Sequence, residues 1–244
     1  LLMLPGLGQN SRLLGTTYKD ESTLARLEKL GMPGTACIQE DDLGELPRPF
    51  GLETIQEKLQ DVGTLSTLKQ KYGEVDMLIV RHIIEHASSA KNLLKNMSGL
   101  LKPGGYIVLD IPDSEHIFQA GNHGFIWEEH ISYFTESAIH KIASSAGAEV
   151  VWVKRYAYPY EDSLIAVLKF DNNTHTVSVS DEEVQTISAL LETFTKDLDV
   201  QRSQWRKTLE DYKAKNMSVS VLGAGHLAVK FVNFLQLDDL IDCV

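Results

Sequence analysis

The chain has 244 residues, 43% of them apolar and 23% charged, so it can bury a core and is neither collagenous nor disordered. Lys and Arg number 23 against 34 Asp and Glu, and the resulting charge of -11 repels a phosphate backbone and argues against nucleic-acid binding. There is no apolar run of about 18 residues, no charged-then-apolar leader, and no thiol besides Cys37 and Cys243. A reducing, cytoplasmic setting is therefore expected, with no membrane span and no disulfide framework.

In chain order, Arg12 to Tyr18 reads as a short strand, and Leu24, Leu27 and Leu30 stand at helical spacing before Gly31. Gly34 to Gln39 is a second strand, and Glu40 to Asp42 with Pro47 and Pro49 mark a loop. Gly51 to Tyr72 is helical with a break near Gly63. Val75 to Val80 is a compact apolar strand, and Ser88 to Leu101 places Leu93, Leu94, Met97, Leu100 and Leu101 on one helical face. Lys102-Pro103-Gly104-Gly105 predicts a turn into Tyr106 to Ile111, which hardly alternates and so reads as a strand buried on both faces. Thr135 caps a helix ending at Gly147. Glu149 to Tyr156 and Ser163 to Phe170 are strands joined too closely to be anything but antiparallel. Strands alternating with helices imply a parallel α/β sheet, here finished by an antiparallel hairpin.

Asp171 to Thr174 breaks this pattern and divides the chain into residues 1–172 and 173–244. A long polar helix from Asp181 to Lys215 carries Leu190, Leu191, Phe194, Leu198 and Trp205, which suits an interdomain or homodimer seam. Ser218 to Leu222, Gly223-Ala224-Gly225 and Leu227 to Leu235 then predict the strand, turn and helix that begin a second, partial α/β domain.

The most distinctive string is Phe125-Ile126-Trp127-Glu128-Glu129-His130-Ile131-Ser132-Tyr133-Phe134-Thr135, on a loop between a strand and a capped helix. A His beside carboxylates and packed among aromatics has what a general base near neutral pH needs: a titrating ring, an acid to orient it, and walls against water. Together with Val75 to Val80, Leu101 to Gly105, Ile111-Pro112 and the Gly223 segment, this string resembles the sugar C-methyltransferases. That resemblance implies a class I methyltransferase fold, with a mostly parallel seven-stranded sheet ending in an antiparallel hairpin and followed by the family's C-terminal α/β domain. It further implies S-adenosylmethionine (SAM) as methyl donor and a nucleotide-linked keto-deoxysugar as substrate, methylated at the carbon beside the keto group.

Carried over by position, His130 is the implied base, Glu129 its orienter, and Tyr133 with Phe134 the motif's aromatic tail, which makes His130, Glu129 and Tyr133 the catalytic set. Trp127 stands where the family has Tyr, and Glu128 where it has its first His. The family's Gly-Gly-Ser-Leu-Arg turn appears as Glu161-Asp162-Ser163-Leu164-Ile165, without the glycines or the Arg. For the donor, Gly6-Leu7-Gly8 is the candidate Gly-rich loop, though it leaves no room for a helix before Gly15. Asp20 is the displaced candidate for the ribose acid, Asp41 could reach the adenine end, and Arg81 and His82 edge the pocket beyond the Val75 to Val80 strand.

Three other readings follow from the sequence. Gly223 to Ala228 fits a dinucleotide fingerprint and would make an NAD(P)-dependent oxidoreductase. His82-Ile83-Ile84-Glu85-His86 matches an inverted zinc-protease pattern. It directly follows a strand, however, so a strand-end loop is the simpler reading; the C-methylation chemistry requires no metal, and no stoichiometric zinc is expected. A non-catalytic protein of methyltransferase fold is the remaining alternative.

Overall fold

The computed structural model describes residues 3–44, 52–127, 129–158, 162–171 and 180–244. Glu128, Glu161, the Pro47 and Pro49 loop and most of the expected boundary after Asp171 lie outside the described residues. Two units are distinguished, one of Leu1–Asp113 with Glu129–Val179 and one of Ser114–Glu128 with Ser180–Val244.

The first unit is built on strands β1 (Arg12–Gly15), β2 (Gly34–Cys37), β3 (Val75–Arg81), β4 (Leu101–Pro112), β5 (Ala148–Tyr156) and β6 (Ser163–Phe170), in the order β2-β1-β3-β4-β6-β5. β1 to β4 pair in parallel, while β6 runs antiparallel to both β4 and β5. The mostly parallel sheet closed by an antiparallel hairpin is thus present. It has six strands among the described residues rather than the seven expected.

Alternate residues of the central strands serve two cores. Leu14, Leu78, Val80, Ile107 and Leu109 join one cluster with Leu93, Leu94 and Met97 of helix α4 (Ala90–Met97). Leu13, Met77, Ile79, Tyr106 and Val108 join another with Leu24 and Leu27 of helix α1 (Glu21–Lys29). Burial on both faces explains why β3 and β4 read as near-continuous apolar runs.

The helical stretch before β3 splits into α2 (Leu52–Gln60) and α3 (Val62–Tyr72), because Asp61 caps α3 by accepting from Thr64 N at 2.7 Å. Helix α6 (Glu136–Ser145) begins at Thr135, whose Oγ1 accepts from Ala138 N at 3.2 Å. The expected turn at Lys102 to Gly105 is instead an irregularity inside β4. Val75 pairs with Leu101 and Met77 with Tyr106, so the intervening residues loop out of the ladder, with Gly104 at φ +76°.

The second unit is helical: α5 (Ser114–Gln119), α7 (Asp181–Ala214) and α8 (His226–Leu235). The strand expected at Ser218 to Leu222 is not formed; among the described residues this segment makes one isolated bridge, Ser220 to Cys243, with Val221 N donating to Cys243 O at 3.0 Å and Asp242 N to Val219 O at 2.8 Å. A strand without a laddered neighbour has too few hydrogen bonds to persist. Residues 114–127 belong with this unit because His123 stacks on Phe194 with centroids 4.1 Å apart, and its Nε2 lies 2.7 Å from Phe194 O. Trp127 stacks on His226 at 3.8 Å. Trp205 of α7 meets Phe231 of α8 edge-on at 5.0 Å, which gives that seam residue an intrachain partner. Among the described residues, no helix is long and apolar enough to cross a membrane.

Candidate functional site

Parallel strands end together, so the turns after β1, β2 and β3 gather at one edge of the sheet, where open α/β sheets take their ligands. A cleft of about 280 Å³ lies there. Its walls include Thr16 and Thr17 after β1, Gln39 and Asp41 after β2, and Ile55 of α2. That size stands just below the roughly 300–1,000 Å³ usual for small-molecule sites, and the mixture of apolar wall and acidic rim suits a nucleoside.

The turn after β1 is closed by its own side chain. Asp20 Oδ2 accepts from Thr16 N at 2.7 Å, from Thr17 N at 3.0 Å and from Thr16 Oγ1 at 3.2 Å, while Oδ1 is buried with no hydrogen bond. Burial outweighs these donors and pushes the carboxyl pKa up to about 6. Asp20 is thus a structural plug of the turn, fully buried, and not the exposed ribose-gripping acid that the sequence suggested.

The Gly6 to Gly8 turn is placed away from this edge. Gly8 N donates to Ser11 Oγ at 2.9 Å, ahead of β1, and Tyr106 Oη donates to Pro5 O at 2.8 Å. Both contacts anchor the turn near the starts of the strands, so Gly6 and Gly8 cannot line a cleft at their ends. Asp41 does line the cleft and is exposed. The residues present therefore fit the adenosine portion of SAM, through Ile38, Leu43 and Ile55 as the apolar wall and Glu21, Gln39 and Asp41 as polar partners.

Arg81 ends β3 as a brace. Its Nε donates to Asp110 Oδ2 at 2.7 Å and its Nη1 to Lys19 O at 2.6 Å, tying the Asp20 turn to β3 and β4. Its guanidinium is committed to the fold. The chain then turns at His82, whose φ of +51° is unusual for a residue with a side chain, although His is among those that tolerate it. His82 Nδ1 lies 3.3 Å from Glu85 Oε1, and this contact holds the imidazole pKa above its ordinary value.

One 3-10 turn, Ile84–His86, aims Glu85 and His86 inward, exposed by only 1% and 5%. Glu85 O accepts from Ile131 N at 2.9 Å and Ser132 N at 3.0 Å, so the turn is stitched to the His130 loop. His86 Nδ1 lies 3.0 Å from Glu129 O; a carbonyl only accepts, so Nδ1 carries a proton and donates, and Nε2 is the ring nitrogen left for another partner. The His86 and His130 rings meet edge-on at 4.8 Å, and the Tyr133 ring lies edge-on to His130 at 5.9 Å. Glu129 itself is exposed, and its carbonyl is the part seen to order the cluster. Gln56 of α2 donates to His86 O at 3.3 Å, adjacent in sequence to the cleft wall at Ile55.

The structure thus brings His130, Tyr133 and Glu129 together and adds Glu85 and His86. The sequence had shown these two as part of His82-x-x-Glu85-His86, but local spacing gave no sign that a distant loop would close on them.

Residues 35–153 match the model of a methyltransferase domain family. No curated protein matches the chain. Among solved structures, LepI in complex with SAM is 12% identical, with 66% of this chain covering 43% of that one at a TM-score of 0.40. The 1,6-didemethyltoxoflavin-N1-methyltransferase of Burkholderia thailandensis, solved with 1,6-didemethyltoxoflavin and S-adenosylhomocysteine, is 14% identical over 66% of this chain and 71% of its own, with a TM-score of 0.41. A putative sarcosine dimethylglycine methyltransferase from Galdieria sulphuraria is 8% identical over 66% and 79%, also at 0.41. The chain spans less than half, 43%, of the length of LepI.

Proposed function

We propose that this chain, which carries a methyltransferase domain over residues 35–153, is a SAM-dependent C-methyltransferase acting on a nucleotide-linked keto-deoxysugar. The observation that carries this reading is the His130 cluster. A histidine with a second imidazole and a buried carboxylate beside it sits at the strand-end edge that also holds the nucleoside-sized cleft.

Bound in the cleft, SAM supplies an electrophilic sulfonium methyl group. The residues named above would hold its adenosine: Ile38, Leu43 and Ile55 against the base, and Glu21, Gln39 and Asp41 toward polar groups. His130 removes the proton beside the keto group and leaves a carbon nucleophile. Glu85 lies within 4.8 Å of a His130 ring nitrogen, where its negative charge favours the imidazolium as it forms. Glu129 orders the loop through its carbonyl bond to His86, and Tyr133 walls the ring from water. The excess of acidic over basic residues suits a small substrate better than a nucleic acid, and a cytoplasmic, homodimeric enzyme is the setting we infer.

The test is proton exchange. With the keto-sugar in D₂O and no methyl donor, wild type should wash deuterium into the carbon to be methylated. His130→Gln should slow this by about 10²–10⁴-fold while the far-ultraviolet circular dichroism is unchanged. Exchange at the wild-type rate in His130→Gln would remove His130 from the base role.

A further inference from the structure

We propose that Glu85, His86 and His130 form a binding site for a divalent transition-metal ion. Each offers one donor atom, and the three atoms lie within 4.8 Å of one another. Two imidazoles and a carboxylate are a donor set suited to zinc, cobalt, nickel or iron, and poorly suited to magnesium or calcium, which take oxygen ligands.

Three observations make this more than proximity. Glu85 is 1% exposed, and neither of its carboxylate oxygens accepts a hydrogen bond. Its one ion contact among the described residues is His82 Nδ1 at 3.3 Å. A carboxylate so far from water lacks most of the partners that a buried charge needs, and a cation would supply them. Next, the 3.0 Å bond from His86 Nδ1 to Glu129 O leaves Nε2 for another partner, and a backbone carbonyl fixing the far nitrogen is how metal-bound histidines are usually oriented. Finally, the two bonds that Glu85 O accepts from Ile131 and Ser132 hold the third ligand's loop against the first two ligands.

The grouping differs from the inverted zinc-protease pattern in the sequence. There His82 and His86 would be the paired ligands. Here His82 is an ion contact of Glu85 outside the trio, and His130 takes the third position. Metal bonds of about 2.0–2.2 Å at tetrahedral angles separate donors by about 3.3 Å, so no pair need draw in by more than about 1.5 Å on binding. His130 is only half-buried, which makes it the most accessible of the three ligands. The site does not depend on the C-methylation reading, but one consequence does: an ion held there occupies the ring that serves as base, so zinc should block the exchange reaction and a chelator should restore it.

The experiment is a titration of the full chain, freed of metal by chelator, with cobalt(II) chloride. Its visible absorption reports a low-symmetry nitrogen and oxygen site, and zinc should displace it. One equivalent per chain is expected. Glu85→Gln and His130→Gln should each weaken binding by more than about tenfold, since even outer partners of metal ligands are worth about 10–100-fold. His82→Asn should leave it nearly intact. His130→Gln changes a half-buried side chain, so its result stands even if Glu85→Gln does not fold. Absence of any cobalt spectrum at millimolar metal, or a spectrum equally strong in His130→Gln, would overturn the site. Metal binding in a protein that shows no proton exchange, with or without chelator, would keep the site and remove the base reading.

Discussion

At the scale of single residues, Asp20 holds the turn that carries Thr16 and Thr17 into the cleft wall. Three donors converge on Oδ2 and favour the anion, yet burial prevails and its pKa stands at about 6. An unfolded Asp titrates near 3.9, so between about pH 4 and 6 the folded chain holds a proton that the unfolded chain has released. The contribution of Asp20 to stability is therefore greatest below about pH 4 and is lost as the pH rises through about 6, a difference of roughly 3 kcal/mol. Asp20→Asn, which keeps the acceptor and removes the charge, should be at least as stable as wild type at pH 7 and should flatten the stability profile between pH 4 and 7. Asp20→Ala should lose about 1–3 kcal/mol at either pH, because Thr16 N and Thr17 N would be left buried without an acceptor. Urea unfolding at pH 4.5 and 7 measures both, and a wild-type slope retained in Asp20→Asn would show that another group titrates. Nothing in the local sequence hints at this role. Asp20 reads as a ligand for a ribose because nothing local distinguishes a carboxylate that turns outward from one that caps its own turn.

At the scale of elements, β1 shows how a single small residue sets the strand's end. Gly15 closes β1, and a Cβ on it would lie 2.6 Å from Asp20 Cβ and 3.0 Å from Leu24 Cδ1. The turn can fold back over the strand only because that atom is missing. Gly15→Ala should therefore cost about 1–3 kcal/mol through overpacking and displace Thr16 and Thr17 from the cleft wall. A shift of the urea midpoint measures the first effect and the affinity for S-adenosylhomocysteine the second; a variant unchanged in both would show that the turn yields at no cost. The elements legible in the sequence were those whose burial leaves a pattern: an unbroken apolar run in β3 and in the second half of β4, and a helical period on the α4 face. Lys102 to Gly105 read as a turn because Pro and Gly punctuate locally, whereas the ladder begins at Leu101, resumes at Tyr106 and carries those residues as a bulge. Ser218 to Leu222 read as a strand because its composition is right, but strand formation also needs a neighbouring strand, which composition does not report.

At the scale of the whole molecule, the sheet edge separates two tasks that can be broken independently. The cleft is formed after β1 and β2, with Asp41 exposed on its rim, while the His130 cluster is formed after β3 and in the loop before α6. Arg81 and Gln56 link the regions through backbone carbonyls, Arg81 to Lys19 and Gln56 to His86, so neither link runs through Asp41 or the His130 ring. Donor affinity and proton removal should accordingly respond to different residues. Asp41→Asn should raise the dissociation constant for S-adenosylhomocysteine by about tenfold, the order expected when one charged hydrogen bond is weakened, and leave donor-free deuterium exchange at the wild-type rate. His130→Gln should do the reverse, binding the donor product within about twofold of wild type while losing exchange by about 10²–10⁴-fold. Isothermal titration and mass-resolved exchange on the same preparations give the full two-by-two comparison. If Asp41→Asn binds as wild type while His130→Gln loses the donor, the donor lies against the histidine cluster, and the cleft between β1, β2 and α2 is not its site.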